Sequence, residues 1–157
     1  MASNFDFLEE WPKLQAATKR AESYVHNDPE TSAWASRKAL ELTIRRVYEY
    51  SSLRIPEKDR PTLGDYLHEE TFKEKLPATV FQKLVGVILP IGNSATHDEK
   101  FTKVNEALKS LRALFDFMRW FHAHHSPNLV FTPPRFREWF STITPKRSED
   151  ESKLINF

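Results

Sequence analysis

The residues best suited to chemistry lie in one short polar segment, Ile91-Gly92-Asn93-Ser94-Ala95-Thr96-His97-Asp98. A histidine titrates near physiological pH and is suited to acid–base work. Asn93 and His97 could therefore converge on a phosphate or on a proton-transfer site. The same pattern is typical of a helix C-terminus in which Gly92 or Asn93 is left-handed and His97 binds backbone. On spacing alone the second interpretation is favoured.

Three histidines, His122, His124 and His125, end the last predicted helix. His122 and His125 are three positions apart and could share a helix face as metal ligands. Histidines near a helix C-terminus also interact favourably with the helix dipole and the last carbonyl groups. Because the chain has no cysteine and no helical Glu-x-x-His motif, we favour the dipole interpretation and expect neither a metal nor a cofactor.

Two basic regions could contact a nucleic-acid backbone. Positions 37–60 contain seven Lys or Arg against four Asp or Glu, with Arg45 and Arg46 beside tyrosines. The second region surrounds Trp139 and consists of Arg135, Arg137, Lys146 and Arg147. A solvated helix face explains the first region equally well. Since the net charge is only +1, we expect phosphate binding to be weak and steeply salt-dependent.

Arg37 and Glu41 are four positions apart on one predicted helix, a spacing that allows an ion pair. A buried pair would help to assemble the bundle around the Gly92-Asn93 segment. A surface pair would contribute only ~0.2–0.5 kcal/mol. We expect a structural ion pair, and neither interpretation makes the two residues catalytic.

The composition excludes several classes of enzyme. A chain of 157 residues and 18.4 kDa is long enough for one domain with its own core. Zero cysteines exclude disulfides, thiolate metal sites, iron–sulfur clusters and cysteine nucleophiles. With only three glycines, neither a Walker loop nor a GxGxxG turn can be written. No Ser-His-Asp set, pair of catalytic carboxylates or EF-hand loop stands out.

The elements that position these residues are predicted to be helices. Apolar spacing predicts helices at Trp11 to His26, Pro29 to Ser51, Ala78 to Leu89 and Lys103 to His125, with a short one after Thr62. The expected N-caps are Asp28, Thr62 and Thr102. Because proline biases the preceding residue away from helix, we expect a break at Leu89-Pro90. The predicted class is all-α, a bundle of four to five helices over positions 1–125.

The chain changes character after position 125. Leu129-Val130-Phe131 predicts a short extended segment, and region 126–147 is expected to dock on the bundle or to lead to a next domain. Positions 148–157 are mostly polar and are predicted to form a tail or linker. No signal peptide is recognisable, and the longest apolar run falls far short of the ~20 residues of a membrane span. We therefore expect a cytoplasmic protein without membrane contact.

Four features of the chain occur in the same order as in one known module: Ser3-Asn4-Phe5-Asp6-Phe7-Leu8, Asn27-Asp28-Pro29, Arg37 with Glu41, and Ile91-Gly92-Asn93-Ser94-Ala95-Thr96-His97. They resemble the helical N-terminal domain of type I restriction enzyme motor (R) subunits. That family also occurs in other defence-associated proteins and is similar to HEPN domains. The resemblance covers roughly Ser3 to Phe131, and it implies a HEPN-like bundle with a short extended C-terminal segment.

The resemblance also bears on catalysis. HEPN ribonucleases carry an Arg with a nearby polar residue, and a His a few positions downstream. Related restriction-subunit domains typically read Arg-Ile-Gly-Asn, whereas here Pro90 takes the position of the Arg and Leu89 precedes it. Asn93 and His97 are retained. Loss of the Arg removes the charged five-donor group that would hold a scissile phosphate, so the resemblance implies a non-catalytic domain.

The leading hypothesis is a non-catalytic interaction module of a type I restriction motor subunit or a related antiviral defence protein. Its expected partners are other domains or subunits of such a complex and, weakly, nucleic acid. In larger relatives, a nuclease and a helicase motor follow this domain. One alternative is a metal-independent ribonuclease that uses His97 with Asn93 and a displaced arginine such as Arg37. Another is a standalone homodimer that binds a nucleotide or a partner at Gly92–His97.

Overall fold

The computed structural model describes residues 2–96, 101–128, 131–132, 134–138 and 140 of the chain. Within these ranges every regular element is helical and no strand occurs, which confirms the all-α prediction for this part of the chain. A 3₁₀ turn at Asp6–Leu8 is followed by α1 (Pro12–Ser23), α2 (Pro29–Tyr50), α3 (Leu63–His68), α4 (Glu70–Lys73), α5 (Ala78–Lys83), a π turn (Leu84–Ile88), α6 (Leu89–Ala95) and α7 (Val104–His125). No helix in the described ranges is long and apolar enough to cross a membrane.

Helix starts follow the predicted capping chemistry at two of three positions. The Asp28 carboxylate accepts a hydrogen bond from the Thr31 backbone N–H at 3.2 Å, and proline follows it at the first helical position. Thr62 forms a reciprocal capping box with Asp65. The prediction of Thr102 as a cap is wrong, because α7 starts one residue later and the Glu106 carboxylate accepts from the Lys103 N–H at 3.1 Å.

The expected helix break at Leu89-Pro90 is also wrong. The backbone stays helical from Ala78 to Ala95, because a π turn precedes the proline and the Leu89 N–H bonds to the Leu84 carbonyl five residues back. Proline lacks an N–H, and its ring crowds the carbonyl of the preceding turn of an α-helix. The wider π turn makes room for that ring, so the helix continues into the Gly92-Asn93 segment.

The core is organised around α2, which packs against α1, α6 and α7. Its largest fully buried side chains are aromatic: Phe5, Phe72, Phe115, Phe117 and Phe121. Phe5 and Phe7 meet Phe115 edge-on at ring-centroid distances of 5.9 and 5.8 Å. The N-terminal segment is therefore part of the core and joins α7 to the α1–α2 pair.

A segment beyond α7 returns to the N-terminal segment. The Asn4 side-chain amide donates to the Arg137 carbonyl at 2.8 Å and accepts from the Arg137 N–H at 2.6 Å. Phe136 packs on Phe115 with ring centroids 5.4 Å apart, and Arg112 pairs with Glu138 at 3.0 Å. Phe136, Arg137 and Glu138 thus contact the bundle. Leu129, Val130 and the predicted tail at 148–157 lie outside the described residues.

Candidate functional site

The Gly92-Asn93 segment lies where α6 crosses α2. A Cβ atom added to Gly92 would lie 2.6 Å from Cβ and 2.9 Å from Cδ of Arg37, so only a glycine fits this crossing. Across it, the Arg37 Nε donates a hydrogen bond to Oδ1 of Asn93 at 2.9 Å. The structure therefore brings together Arg37, Gly92 and Asn93, although more than fifty positions separate Arg37 from the other two in the chain.

Gly92 and Asn93 belong to a helix and do not form a turn between helices. α6 continues through Ala95, and no glycine has a positive φ. The expected left-handed conformation is therefore wrong, and the close approach of Arg37 is what requires glycine. Ile91 is partly buried and Asn93 is exposed. His97, the proposed proton-transfer residue, lies outside the described residues.

The expected Arg37–Glu41 ion pair is not formed. The Glu41 carboxylate instead lies 3.3 Å from Arg45 and 3.9 Å from Lys38. The Arg37 side chain extends along α6 and donates from Nε to the Asn93 amide. Its Nε is therefore not directed at the Glu41 carboxylate on α2. No described residue accepts a hydrogen bond from either terminal nitrogen of Arg37.

An aromatic residue adjoins this contact. The Arg20 guanidinium of α1 and the Lys38 ammonium of α2 each lie 5.7 Å from the centroid of the Trp34 ring. Because Arg37 and Lys38 follow Trp34 by three and four positions, all three lie on one side of α2. We call the set Arg20, Trp34, Arg37, Lys38 and Asn93 the Trp34 surface. Among the described acids only Glu41 pairs with it, at 3.9 Å from Lys38.

Arg20 and Trp34 are absent from the sequence-based predictions. The available signal was the spacing of Trp34, Arg37 and Lys38, which is that of neighbours on one helix face. Arg20 could not have been found in this way, since it belongs to α1 and joins the surface only when α1 and α2 pack together.

The other predicted nucleic-acid contacts are divided among several surfaces. Arg45 pairs with Glu41 at 3.3 Å and lies over the Tyr66 ring, and Arg46 pairs with Glu49 at 3.7 Å. Arg135 is exposed, whereas the Arg137 guanidinium lies over the Phe140 ring at 5.6 Å. Trp139, Lys146 and Arg147 lie outside the described residues. Arg45 and Arg46 are therefore partly neutralised by acids on their own helix.

Comparison with family models and with solved structures does not identify the family of this chain. No family model matches the chain, and no solved structure matches it. The likeness to restriction motor subunits stays a prediction from the residues given above, and function must be argued from the surfaces of the molecule.

The three histidines near the end of α7 have different surroundings. His122 is only 3% exposed, meets Phe7 edge-on, and has its Nε2 3.8 Å from Oε1 of Glu10. His124 Nδ1 lies 2.8 Å from the carbonyl oxygen of Trp120. His125 packs against Tyr50, and burial, followed by the charges of His124 and Lys75, lowers its pKa.

A metal site at these histidines would need His122 and His125 to face one point. His122 instead lies against Phe7, whereas His125 lies against Tyr50 and Phe121. Among the described residues no group of three or more His, Asp or Glu is arranged to hold a metal ion. The His124 ring contacts the carbonyl of Trp120, which lies one turn earlier in α7 and is not among the last four carbonyls of the helix.

Proposed function

We propose that this chain is a non-catalytic helical interaction module of a type I restriction motor subunit, or of a related antiviral defence protein, in the cytoplasm. Its Trp34 surface contacts the phosphate backbone of the nucleic acid that the larger assembly handles. The observation that supports this contact is the fixed position of Arg37, which Asn93 holds at the surface beside Trp34, Arg20 and Lys38. Contact with other domains or subunits rests on the family resemblance.

The chemistry of this surface suits a phosphate contact. The guanidinium group binds phosphate oxygens through paired N–H donors, and the terminal nitrogens of Arg37 have no acceptor among the described residues. Trp34 is partly buried, so its ring can add a stacking contact with a base but cannot insert deeply between bases. Three cations and one nearby carboxylate give a weak, salt-sensitive site.

The absence of catalysis is inferred from the composition of the same site. Proline occupies the position at which HEPN ribonucleases carry arginine. Side chains at the surface of the protein can position a phosphate. They do not exclude water from it, and exclusion of water is what strengthens contacts to a transition state.

The nucleic-acid contact is tested by fluorescence anisotropy with labelled single-stranded and double-stranded oligonucleotides, at low and at physiological salt. The variant Arg20→Gln/Lys38→Gln removes two cations of the Trp34 surface. Arg60→Gln/Lys109→Gln removes the same two residue types from positions elsewhere. We expect the first variant to weaken binding about tenfold or more at low salt and the second to leave it nearly unchanged. Equal loss in both variants would show that binding follows net charge alone and would contradict the proposal.

A second candidate function is the metal-independent ribonuclease. The contact between Arg37 and Asn93 favours it, because an arginine from another helix lies against the asparagine of the HEPN-like segment. Incubation of the chain with labelled RNA in EDTA distinguishes the two functions. Intact RNA is expected for an interaction module, whereas cleavage that is lost in His97→Ala and in Arg37→Ala would establish the ribonuclease.

A further inference from the structure

We propose that a second site, distinct from the Trp34 surface, binds one alkylammonium or guanidinium group. The site is a cleft of about 350 Å³ between the N-terminal segment and the end of α7. We call it the Glu10 cleft, and its lining residues are Phe7, Glu9, Glu10, His122, Asn128 and Phe131. None of these residues belongs to the Trp34 surface.

The charge of the cleft is negative. Glu9 and Glu10 line it, and no described Lys or Arg forms an ion pair with either carboxylate. Ser126 donates its hydroxyl to Oε1 of Glu10, which fixes the orientation of that side chain and leaves Oε2 without a described partner. A cationic N–H donor can therefore bind a positioned carboxylate oxygen and a second carboxylate beside it.

The walls of the cleft suit an organic cation. Phe7 is 6% exposed and Phe131 is 40% exposed, so one ring is held by the core and the other faces solvent. Both rings contact His122, with centroids 5.5 and 5.0 Å from the imidazole. Aromatic faces attract ammonium and guanidinium groups, and they also accept the methylene groups that carry them.

The third polar group is His122. It is only 3% exposed, yet no described residue forms a hydrogen bond with its ring, and its Nε2 lies 3.8 Å from Oε1 of Glu10. A ring nitrogen of His122 can accept a hydrogen bond from a cationic donor in the cleft. Asn128 also lines the cleft.

The ligand class follows from what the lining can hold. A metal ion needs a compact set of ligands, and no group of three or more His, Asp or Glu in the described residues provides one. An anion would meet two carboxylates. An alkylammonium or guanidinium group satisfies the carboxylates, the aromatic walls and His122 together. It can come from a Lys or Arg side chain of a partner segment, or from a free polyamine.

The test is an NMR titration of the isotopically labelled chain with N-acetyl-arginine amide and, separately, with N-acetyl-citrulline amide, its neutral isostere. We expect saturable shifts at Glu10, His122 and Asn128 with the arginine compound only. Glu9→Gln/Glu10→Gln should weaken binding about tenfold, since the new amide oxygen at position 10 can still accept from Ser126 but the charges are gone. Glu70→Gln/Glu74→Gln, which removes two carboxylates on and after α4, should leave binding unchanged.

Equal shifts with the citrulline compound, or no effect of Glu9→Gln/Glu10→Gln, would overturn the proposal. Two further ligands identify the source of the cation. Tighter binding of spermidine than of an acetylated Gly-Arg-Gly amide indicates a free polyamine, and the reverse order indicates a side chain of a partner segment. Failure of this titration leaves the nucleic-acid test at the Trp34 surface unaffected, because the two sites share no residue.

Discussion

Arg37 of α2 and Asn93 of α6 are joined by a 2.9 Å hydrogen bond across the place where the two helices approach tightly at a glycine. The contact has two consequences. It holds the guanidinium against α6, and it requires the backbone at Gly92 to lie against the aliphatic part of Arg37. The residues that shape the candidate site are thus also residues of a helix–helix interface.

Gly92→Ala should destabilise the protein by about 1–3 kcal/mol, the usual cost of forcing a methyl group into a packed contact. The new Cβ would lie 2.6 Å from Cβ of Arg37, an atom close to the backbone that cannot rotate away. Urea unfolding followed by circular dichroism measures the change.

Gly86→Ala is the matched control. This glycine lies in the π turn of the same helical run, and an added Cβ there meets nothing within 4 Å. Since alanine is the better helix former by up to ~1 kcal/mol, this variant should be neutral or slightly more stable. A Gly92→Ala protein as stable as the Gly86→Ala protein would show that α2 and α6 do not pack as closely as described.

Asn93→Asp should separate the binding role of Arg37 from its packing role. A carboxylate at position 93 can still accept from Nε, so the change in the free energy of unfolding should stay within about 1 kcal/mol. Its charge would neutralise Arg37 and weaken nucleic-acid binding. Anisotropy measures the affinity, with Asn105→Asp as a control that adds the same charge at an exposed position of α7. Unchanged affinity in Asn93→Asp would remove Arg37 from the proposed contact.

Local signals in the sequence predict the helices well, because capping and apolar spacing act over a few residues. Asp28 and Thr62 cap helices as expected, and the two long helices begin and end close to their predicted positions. The break at Pro90 fails as a prediction because the proline rule assumes an α-helix, whereas a π turn precedes this proline.

The candidate site is less predictable, because its contacts join distant parts of the chain. The spacing of Arg37 and Glu41 predicts an ion pair. In the structure Arg37 instead forms a tertiary hydrogen bond with Asn93, and the Glu41 carboxylate pairs with Arg45. Neither Arg20 beside Trp34 nor Glu10 beside Ser126 and His122 follows from any local pattern. Such pairs become visible only once the helices are packed.

Thr62→Ala should destabilise the protein by about 1 kcal/mol, because it removes the hydroxyl that accepts from the Asp65 N–H at 3.2 Å. Hydrogen bonding from the Thr62 backbone, followed by that from Lys58 and the Thr62 side chain, lowers the pKa of Asp65 below 3.8. The stability contributed by this carboxylate is present above 3.8 and is lost as the pH falls through the folded-state pKa.

The same capping pair gives a check of that pH dependence. Asp65→Asn keeps a side-chain oxygen but does not titrate, so its stability should vary less than that of the parent chain below about pH 4. Urea unfolding at a series of acidic pH values measures this difference. If Thr62→Ala and Asp65→Asn both unfold like the parent chain at every pH, the capping box contributes nothing in solution.

The buried carboxylate of Glu22 should produce a pH dependence of the opposite sign. Glu22 is 5% exposed, and burial raises its pKa above 4.5 although the Asn4 backbone and side-chain N–H groups both donate to its Oε2. The folded chain therefore holds this proton more tightly than the unfolded chain. The corresponding stability is fully present below 4.5 and is lost as the pH rises through the folded-state pKa.

Glu22→Gln tests this directly, because the Gln amide oxygen can accept both Asn4 bonds without carrying a charge. The loss of stability as the pH rises above 4.5 should disappear in this variant. At neutral pH the variant should be at least as stable as the parent chain, since no charge is buried. Urea unfolding across this pH range measures both effects, with Glu74→Gln as an exposed control. A Glu22→Gln protein that keeps the parent pH dependence would show that the Glu22 carboxyl is solvated. In that case Asn4, which bonds to Arg137, would not be held by a buried carboxyl at Glu22.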